Sequence, residues 1–256
     1  MTGTCHRRDL AYEATRIAAL LGIAGLAVVG CSPSDAASSS LPSSSTAMPT
    51  AVAPAGIAGP VQGQALVSAL RQGGLILWMR HTARDSRSGD VSDQQAGAHD
   101  CAQQSELTPE GVSQARAVGE GMRSLGLPIA AVHTARLCRT QATAQQLDVA
   151  PVTDDARLDE ATTWTDRGGD SAYQQAVAAI LATPPPAGRD VVDVTSLLTI
   201  PNARPAVLAE LGEGEVAVFR PHPDGGPELL VRIGRDAWPA LVRAASNTPV
   251  PATPTR

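Results

Sequence analysis

The 256-residue chain contains no lysine: all twenty of its basic residues are arginine. Taken with the abundance of alanine and glycine, that bias reads as the codon composition of a GC-rich genome and not as a functional signature. Aromatic residues are also scarce, at 2%, so alanine, valine and leucine supply most of the apolar mass. Basic charge is not in excess either. The net charge is -5, and without a basic stripe to neutralise a phosphate backbone a nucleic-acid partner is excluded. A single small phosphate-like anion remains admissible, because two or three cations in one pocket suffice to hold it. Histidines and carboxylates do not cluster at ligand spacings, so no metal site is expected, and no other cofactor is called for. A hydrophobic content of 43% fits a globular protein and excludes a multi-span membrane protein.

What is present begins with a targeting signature. His6, Arg7, Arg8 and Arg16 form a basic region, followed by an uninterrupted apolar run from Ile17 to Gly30. That run is too short to span a bilayer comfortably and has the length of a signal-peptide core. It ends Val28-Val29-Gly30-Cys31, which resembles a bacterial lipobox. Residues 1–30 are therefore expected to be a lipoprotein signal peptide and Cys31 the lipidation site. The protein would then lie in the cell envelope, outside the cytoplasm, attached to the plasma membrane through its lipid. The alternative is an uncleaved signal anchor with a chance cysteine. Residues 31–60 are rich in serine, alanine and proline, with Asp35 as their one charge. Such a stretch cannot bury enough apolar surface to order itself and is expected to be a flexible tether. Cys101 and Cys138 remain in the exported part, without metal-type spacing. A disulfide is the default expectation in an oxidising compartment; two separate buried thiols are the alternative.

The globular domain is expected over residues 61–246, with a loose Pro/Thr-rich tail over 247–256. Residues 62–72 have helical apolar spacing and stop at Gly73-Gly74. Leu75 to Met79 is a short continuous apolar run, the mark of a strand buried on both faces. Residues 83–106 are polar and form a long loop. Thr108-Pro109-Glu110 has the chemistry of a helix start, and that helix should run to Leu125 and stop at Gly126. Ile129 to His133 and Val191 to Val194 read as further core strands, and Val149 to Val152 as a short one. Helices are expected from Leu137 to Leu147, Ser171 to Leu181 and Arg235 to Ala245. Glu215 to Arg220 and Glu228 to Ile233 read as a hairpin. Strands alternating with helices predict an α/β protein, a three-layer α/β/α sandwich with a mostly parallel central sheet.

In such sheets ligands bind beyond the carboxyl ends of the strands. Three core strands here finish in polar residues: Arg80-His81-Thr82, then Thr134 to Arg139, then Thr195-Ser196. The first two could bring one histidine and two arginines together, a grouping suited to phosphoryl transfer. A histidine whose one ring nitrogen is held by the backbone can attack phosphorus with the other. Guanidinium groups can grip the phosphoryl oxygens and offset their charge.

The run Leu75 to Thr82, with its Arg80-His81 pair, resembles the signature strand of the histidine phosphatase (phosphoglycerate mutase-like) superfamily. Leu107 to Gly111, followed by Gln114-Ala115-Arg116, is similar to that family's helix start. Val132 to Ala144 is similar to the stretch that carries its second phosphate-binding arginine, with Arg136 where proline is common. The resemblance implies a phosphoglycerate mutase-like fold and no metal requirement. It implies His81 as the nucleophile that becomes phosphohistidine, and Arg80 and Arg139 as phosphate ligands. Leu158-Asp159-Glu160 resembles the acid-bearing segment, implying Glu160 as general acid with Asp159 in reserve. Cys101 and Cys138 fall where an exported branch of the family carries cysteines.

The chain departs from the family at one place. Ser196 stands where the second histidine is usual, and a serine cannot carry positive charge. Losing a transition-state donor of that kind typically costs on the order of 100- to 1000-fold. His133 and His222 read as surface residues. Asp193, a charge in a buried strand, needs a partner: an arginine, unless the strand lies at an edge. Three functions follow from these residues: an envelope-anchored phosphomonoesterase acting through phosphohistidine on a small phosphorylated substrate; an inactive pseudophosphatase that binds an anion or a protein partner through Arg80, His81, Arg139 and Ser196; or an interaction protein whose pocket is unused.

Overall fold

A computed structural model describes residues 56–87, 100–222 and 226–246. The expected signal peptide, Cys31, the tether as far as residue 55, loop residues 88–99 and the tail from residue 247 lie outside the described residues.

The described chain runs β1 (Ile57–Ala58), α1 (Gly63–Gln72), β2 (Ile76–Arg80), α2 (Pro109–Leu125), β3 (Ile129–Thr134), α3 (Cys138–Leu147), β4 (Val152–Asp154), α4 (Gly169–Ala182), β5 (Asp190–Thr195), β6 (Val216–Arg220), β7 (Glu228–Ile233) and α5 (Trp238–Ser246). Short 3-10 turns occupy Cys101–Gln103, Ala156–Leu158, Ala161–Arg167 and Ala206–Ala209. The strands form one seven-stranded sheet in the order β1-β7-β6-β2-β5-β3-β4. The half containing β2, β5, β3 and β4 is parallel. The hairpin β6–β7 and the edge strand β1 add antiparallel pairs on the other side.

Alternation along the strands creates two cores. Leu77 and Met79 of β2 face a layer made by α1, α2, α3 and α5, represented by Leu70, Met122, Leu147 and Trp238. Ile76 and Trp78 face the opposite layer, where α4 contributes Tyr173, Val177 and Ile180 and the 3-10 turns contribute Leu158, Trp164 and Leu208. The expected three-layer α/β/α arrangement is therefore present.

Helix α2 follows its expected start and stop. Thr108 Oγ1 accepts the Gly111 N–H at 3.0 Å, Pro109 opens the helix, and Gly126 closes it in the left-handed region at φ 69°. Gly111 is required by packing: a Cβ there would lie 2.0 Å from the carbonyl oxygen of Ala83. The helix start is thus pressed onto the loop that follows β2.

Three expectations need correction. The end of the supposed tether is ordered, since Ile57–Ala58 pairs with β7 and Ile57 is buried; a two-residue strand is too short to leave a periodic signal. His133 is not a surface bystander. Its Nδ1 lies 2.9 Å from Oδ1 of Asp193, and the two are register partners on β3 and β5. Asp193 accordingly pairs with a histidine, not an arginine, and its strand is central. His222 is exposed, as expected, beside Glu228 at 3.5 Å.

Candidate active site

The carboxyl end of β2 places Arg80 and His81 at the rim of the sheet, and main-chain bonds from two neighbours fix them there. His81 N donates to Thr195 O at 2.9 Å, at the end of β5. Its own carbonyl accepts the Gly214 N–H at 2.9 Å, from the loop before β6. The imidazole is buried, with the residue 1% exposed. Nδ1 lies 2.8 Å from the carbonyl oxygen of Thr82. An acceptor at that position holds the proton on Nδ1 and leaves the lone pair on Nε2. Burial pushes the imidazole pKa down to about 3; the Thr82 bond opposes that shift, and Arg139, Arg80 and Arg84 add to it. His81 is therefore a neutral imidazole at physiological pH, surrounded by guanidinium charge.

Helix α3 supplies the second arginine. Arg139 and Thr143 are one turn apart on the same face. Thr143 Oγ1 donates to the Arg139 carbonyl at 2.8 Å and accepts the Thr82 N–H at 3.2 Å. The arginine helix is in this way tied to the residue that orients His81. The Cys101–Cys138 disulfide anchors the same helix start, with Cα atoms 5.6 Å apart. Gln104 Oε1 caps it by accepting the Cys138 N–H at 2.8 Å.

Arg139 is 2% exposed, and its Nη2 lies 2.6 Å from Glu160 Oε1. Glu160 thus reaches the arginine cluster. Asp159 does not: it accepts the Arg136 N–H and Nε–H at 2.9 Å each and lies 3.6 Å from Arg167. Arg167 in turn stacks over Trp164 at 3.7 Å. Asp159 is a bracket for the loop and is not available as a reserve acid. Ser196 follows β5 directly, beside the Thr195 carbonyl that holds His81, and is 9% exposed.

Two residues escaped sequence reasoning. Glu213 Oε1 lies 3.7 Å from Arg80 Nη2 and 4.0 Å from Arg84 Nε. Arg84 was foreshadowed only by its closeness to His81 in sequence. Glu213 arrives because β6 runs antiparallel to β2, so the loop before β6 meets the end of β2; nothing local in the sequence announces that. Arg80 Nη1 completes its setting by donating to Leu211 O at 2.9 Å.

Residues 76–196 match the family model of the histidine phosphatase superfamily (branch 1). Over this segment the chain is similar to that superfamily. No curated protein matches the chain. Among solved structures, the chain is similar to a provisionally named phosphohistidine phosphatase SixA from Nakamurella multipartitia, at 24% identity, 61% of this chain, 94% of that one and a TM-score of 0.42. It is similar to the protein histidine phosphatase SixA complexed with tungstate, at 16% identity, 63% of this chain, 97% of that one and a TM-score of 0.41. The alpha-ribazole phosphatase from Shigella flexneri is comparable, at 15% identity, 63% of this chain, 96% of that one and a TM-score of 0.42. The matched segment ends at Ser196 itself. It therefore contains His81, Arg139 and Glu160 but leaves Glu213 and the β6–β7 hairpin outside.

Proposed function

We propose that the protein is a phosphomonoesterase in which His81 accepts the phosphoryl group of a small phosphorylated substrate as a phosphohistidine and then releases it to water. The observation that carries this reading is the neutral, buried His81, with its Nδ1 proton held by Thr82 and its charge environment set by arginines. A neutral imidazole keeps its attacking lone pair across the physiological range. Attack by Nε2 on phosphorus forms the N–P bond as the ester P–O bond breaks, while Arg80 and Arg139 offset the charge on the remaining phosphoryl oxygens. Glu160, on the same cluster, is the residue placed to protonate the leaving oxygen. Water then attacks phosphorus as the N–P bond breaks, its proton passing to the Glu160 carboxylate, so that inorganic phosphate leaves and neutral His81 and protonated Glu160 are restored. The same reading places the protein in the cell envelope, lipid-anchored at Cys31, on the strength of the sequence from His6 to Cys31.

Ser196 favours a second reading, a pseudophosphatase that holds a phosphate-like anion without turning it over. One experiment separates the two. The full chain is incubated with p-nitrophenyl phosphate, and hydrolysis is compared with that of His81→Ala. The esterase reading expects turnover that His81→Ala abolishes, together with an acid-labile phosphoryl label on the wild-type chain. Equal rates for the two proteins, with thermal stabilisation by inorganic phosphate in the wild type, would leave the pseudophosphatase.

A further inference from the structure

Among the described residues, every hydrogen bond and ion pair of the Arg80 side chain comes from one loop, residues 210–215. Nη1 donates to Leu211 O at 2.9 Å, and Nη2 lies 3.7 Å from Glu213 Oε1. Nε is buried without a partner among the described residues. The same loop holds the backbone on either side of that guanidinium. Glu215 O accepts the Arg80 N–H at 3.1 Å, and the Gly214 N–H reaches the carbonyl oxygens of Arg80 and His81 at 3.2 and 2.9 Å. A shift of this loop would therefore turn Arg80 away from the phosphoryl oxygens it is meant to grip.

The loop is clamped from outside the site. Arg232 lies on β7, which β6 separates from β2, yet each of its guanidinium nitrogens is spent on one end of the loop or the other. Nε donates to Glu215 Oε1 at 2.7 Å and Nη2 to Glu215 Oε2 at 2.9 Å. Nη2 also donates to Glu210 O at 3.1 Å, and Nη1 to Glu210 Oε2 at 3.2 Å. Glu215 Oε2 in turn accepts the Gly212 N–H at 2.8 Å. The Arg232 and Glu215 side chains are 25% and 18% exposed, so this bidentate pair is stronger than an open surface one. Only the planar fork of arginine can meet two carboxylate oxygens and a carbonyl oxygen at once. Arg232 makes no hydrogen bond to Arg80, His81 or Arg139.

We propose that Arg232 is a positioning residue for phosphate binding: by joining Glu210 to Glu215 it fixes the loop that aims Arg80. The inference rests on the reading of Arg80 as a phosphate ligand given above, but not on turnover. A guanidinium whose direction is already set loses little freedom when the anion arrives. Releasing the clamp restores that freedom, and the anion must then order both the side chain and its loop. The effect passes through shape and not through the field of Arg232, whose charge is matched by Glu215.

The test is calorimetric titration of the full chain with inorganic phosphate, which needs no catalysis. Arg232→Lys keeps the charge and loses the fork, and it should weaken phosphate binding about tenfold. The same change is then made in an Arg80→Lys background, where a cation remains but the guanidinium that the loop aims is gone. There it should cost less than about twofold, because the two residues act in one chain of contacts. Glu215→Gln, which keeps size and backbone, should weaken binding in the same direction and serves if Arg232→Lys does not fold. Circular dichroism and a cooperative melt establish the fold of each variant. Wild-type affinity in a folded Arg232→Lys or Glu215→Gln protein would overturn the proposal, and so would an equal loss in both backgrounds. A wild-type chain that does not bind phosphate would instead sink the reading of Arg80 and His81 as an anion site, and this inference with it.

Discussion

The Nδ1 atom of His81 lies 2.8 Å from the carbonyl oxygen of the next residue, Thr82. One peptide unit thus sets the tautomer of the ring, and Thr143 holds that unit in place through the Thr82 N–H. The pH behaviour of the protein follows from this arrangement. The folded pKa of His81, about 3, lies below its ordinary value of 6.5. Between those values the unfolded chain binds more protons than the folded one. The contribution of His81 to stability is therefore complete above pH 6.5 and is lost as the pH falls toward 3, to a total of up to about 5 kcal/mol. Urea denaturation of wild type and His81→Asn should show the wild type losing more stability between neutral and acid pH. Parallel curves would contradict the buried neutral ring.

The 2.6 Å pair between Arg139 and Glu160 predicts a dependence on the leaving group. Glu160→Gln should lower turnover of an alkyl phosphate by about 100- to 10,000-fold, the usual weight of a general acid. The same variant should barely change hydrolysis of p-nitrophenyl phosphate, whose leaving group needs no proton. Steady-state rates over a series of esters check this. A uniform loss across the series would mean that Glu160 only positions Arg139.

Ser196 gives a prediction of gain. Restoring the imidazole with Ser196→His should raise turnover by on the order of 100- to 1000-fold if a cationic donor is what the site lacks. An unchanged or lower rate would mean that the Arg80–Arg84–Glu213 cluster already supplies the charge, or that the pocket has no room for the ring.

The Cys101–Cys138 bond closes a segment with a sequence separation of 37. In the chain-entropy model it stabilises the fold by about 4 kcal/mol. Cys138→Ser should lower the melting temperature by roughly 8–16 °C at 2–4 °C per kcal/mol. Because Cys138 adjoins Arg139, phosphate binding should weaken in the same variant. Scanning calorimetry with and without phosphate measures both effects.

Gly111→Ala sets two effects against each other. Alanine gains about 1 kcal/mol in helix propensity, but its Cβ would sit 2.0 Å from the Ala83 carbonyl oxygen. The obstacle is backbone and cannot swing away, so the clash wins. A net loss of about 1–3 kcal/mol is expected, readable as a shifted denaturation midpoint.

Much of the fold was legible because its signals are local. Thr108, Pro109 and Gly126 bound α2 through capping chemistry that acts within a few residues. The apolar run ending at Met79 announced a strand buried on both faces. The Arg80-His81 pair and Arg139 stood in motifs whose order along the chain already implied a shared pocket. The partner of Asp193 was different. A buried carboxylate announces that it needs one, but β3 and β5 are far apart in sequence, and register alone sets His133 opposite it. The edge strand at Ile57 was missed for a related reason, since its pairing with Ile233 joins the two ends of the domain.

By itself the sequence determined the alternation of strands and helices, the positions of the chain reversals, and the strand-end residues able to grip a phosphate. Each of these rests on side-chain period, capping or backbone dihedral preference, which act over a few residues. Only the tertiary structure decided that His81 is neutral, that Asp159 braces a loop while Glu160 faces Arg139, and that Glu213 joins the arginines. Burial and charge proximity depend on which distant segments the sheet order brings together, and no short stretch of chain encodes that order.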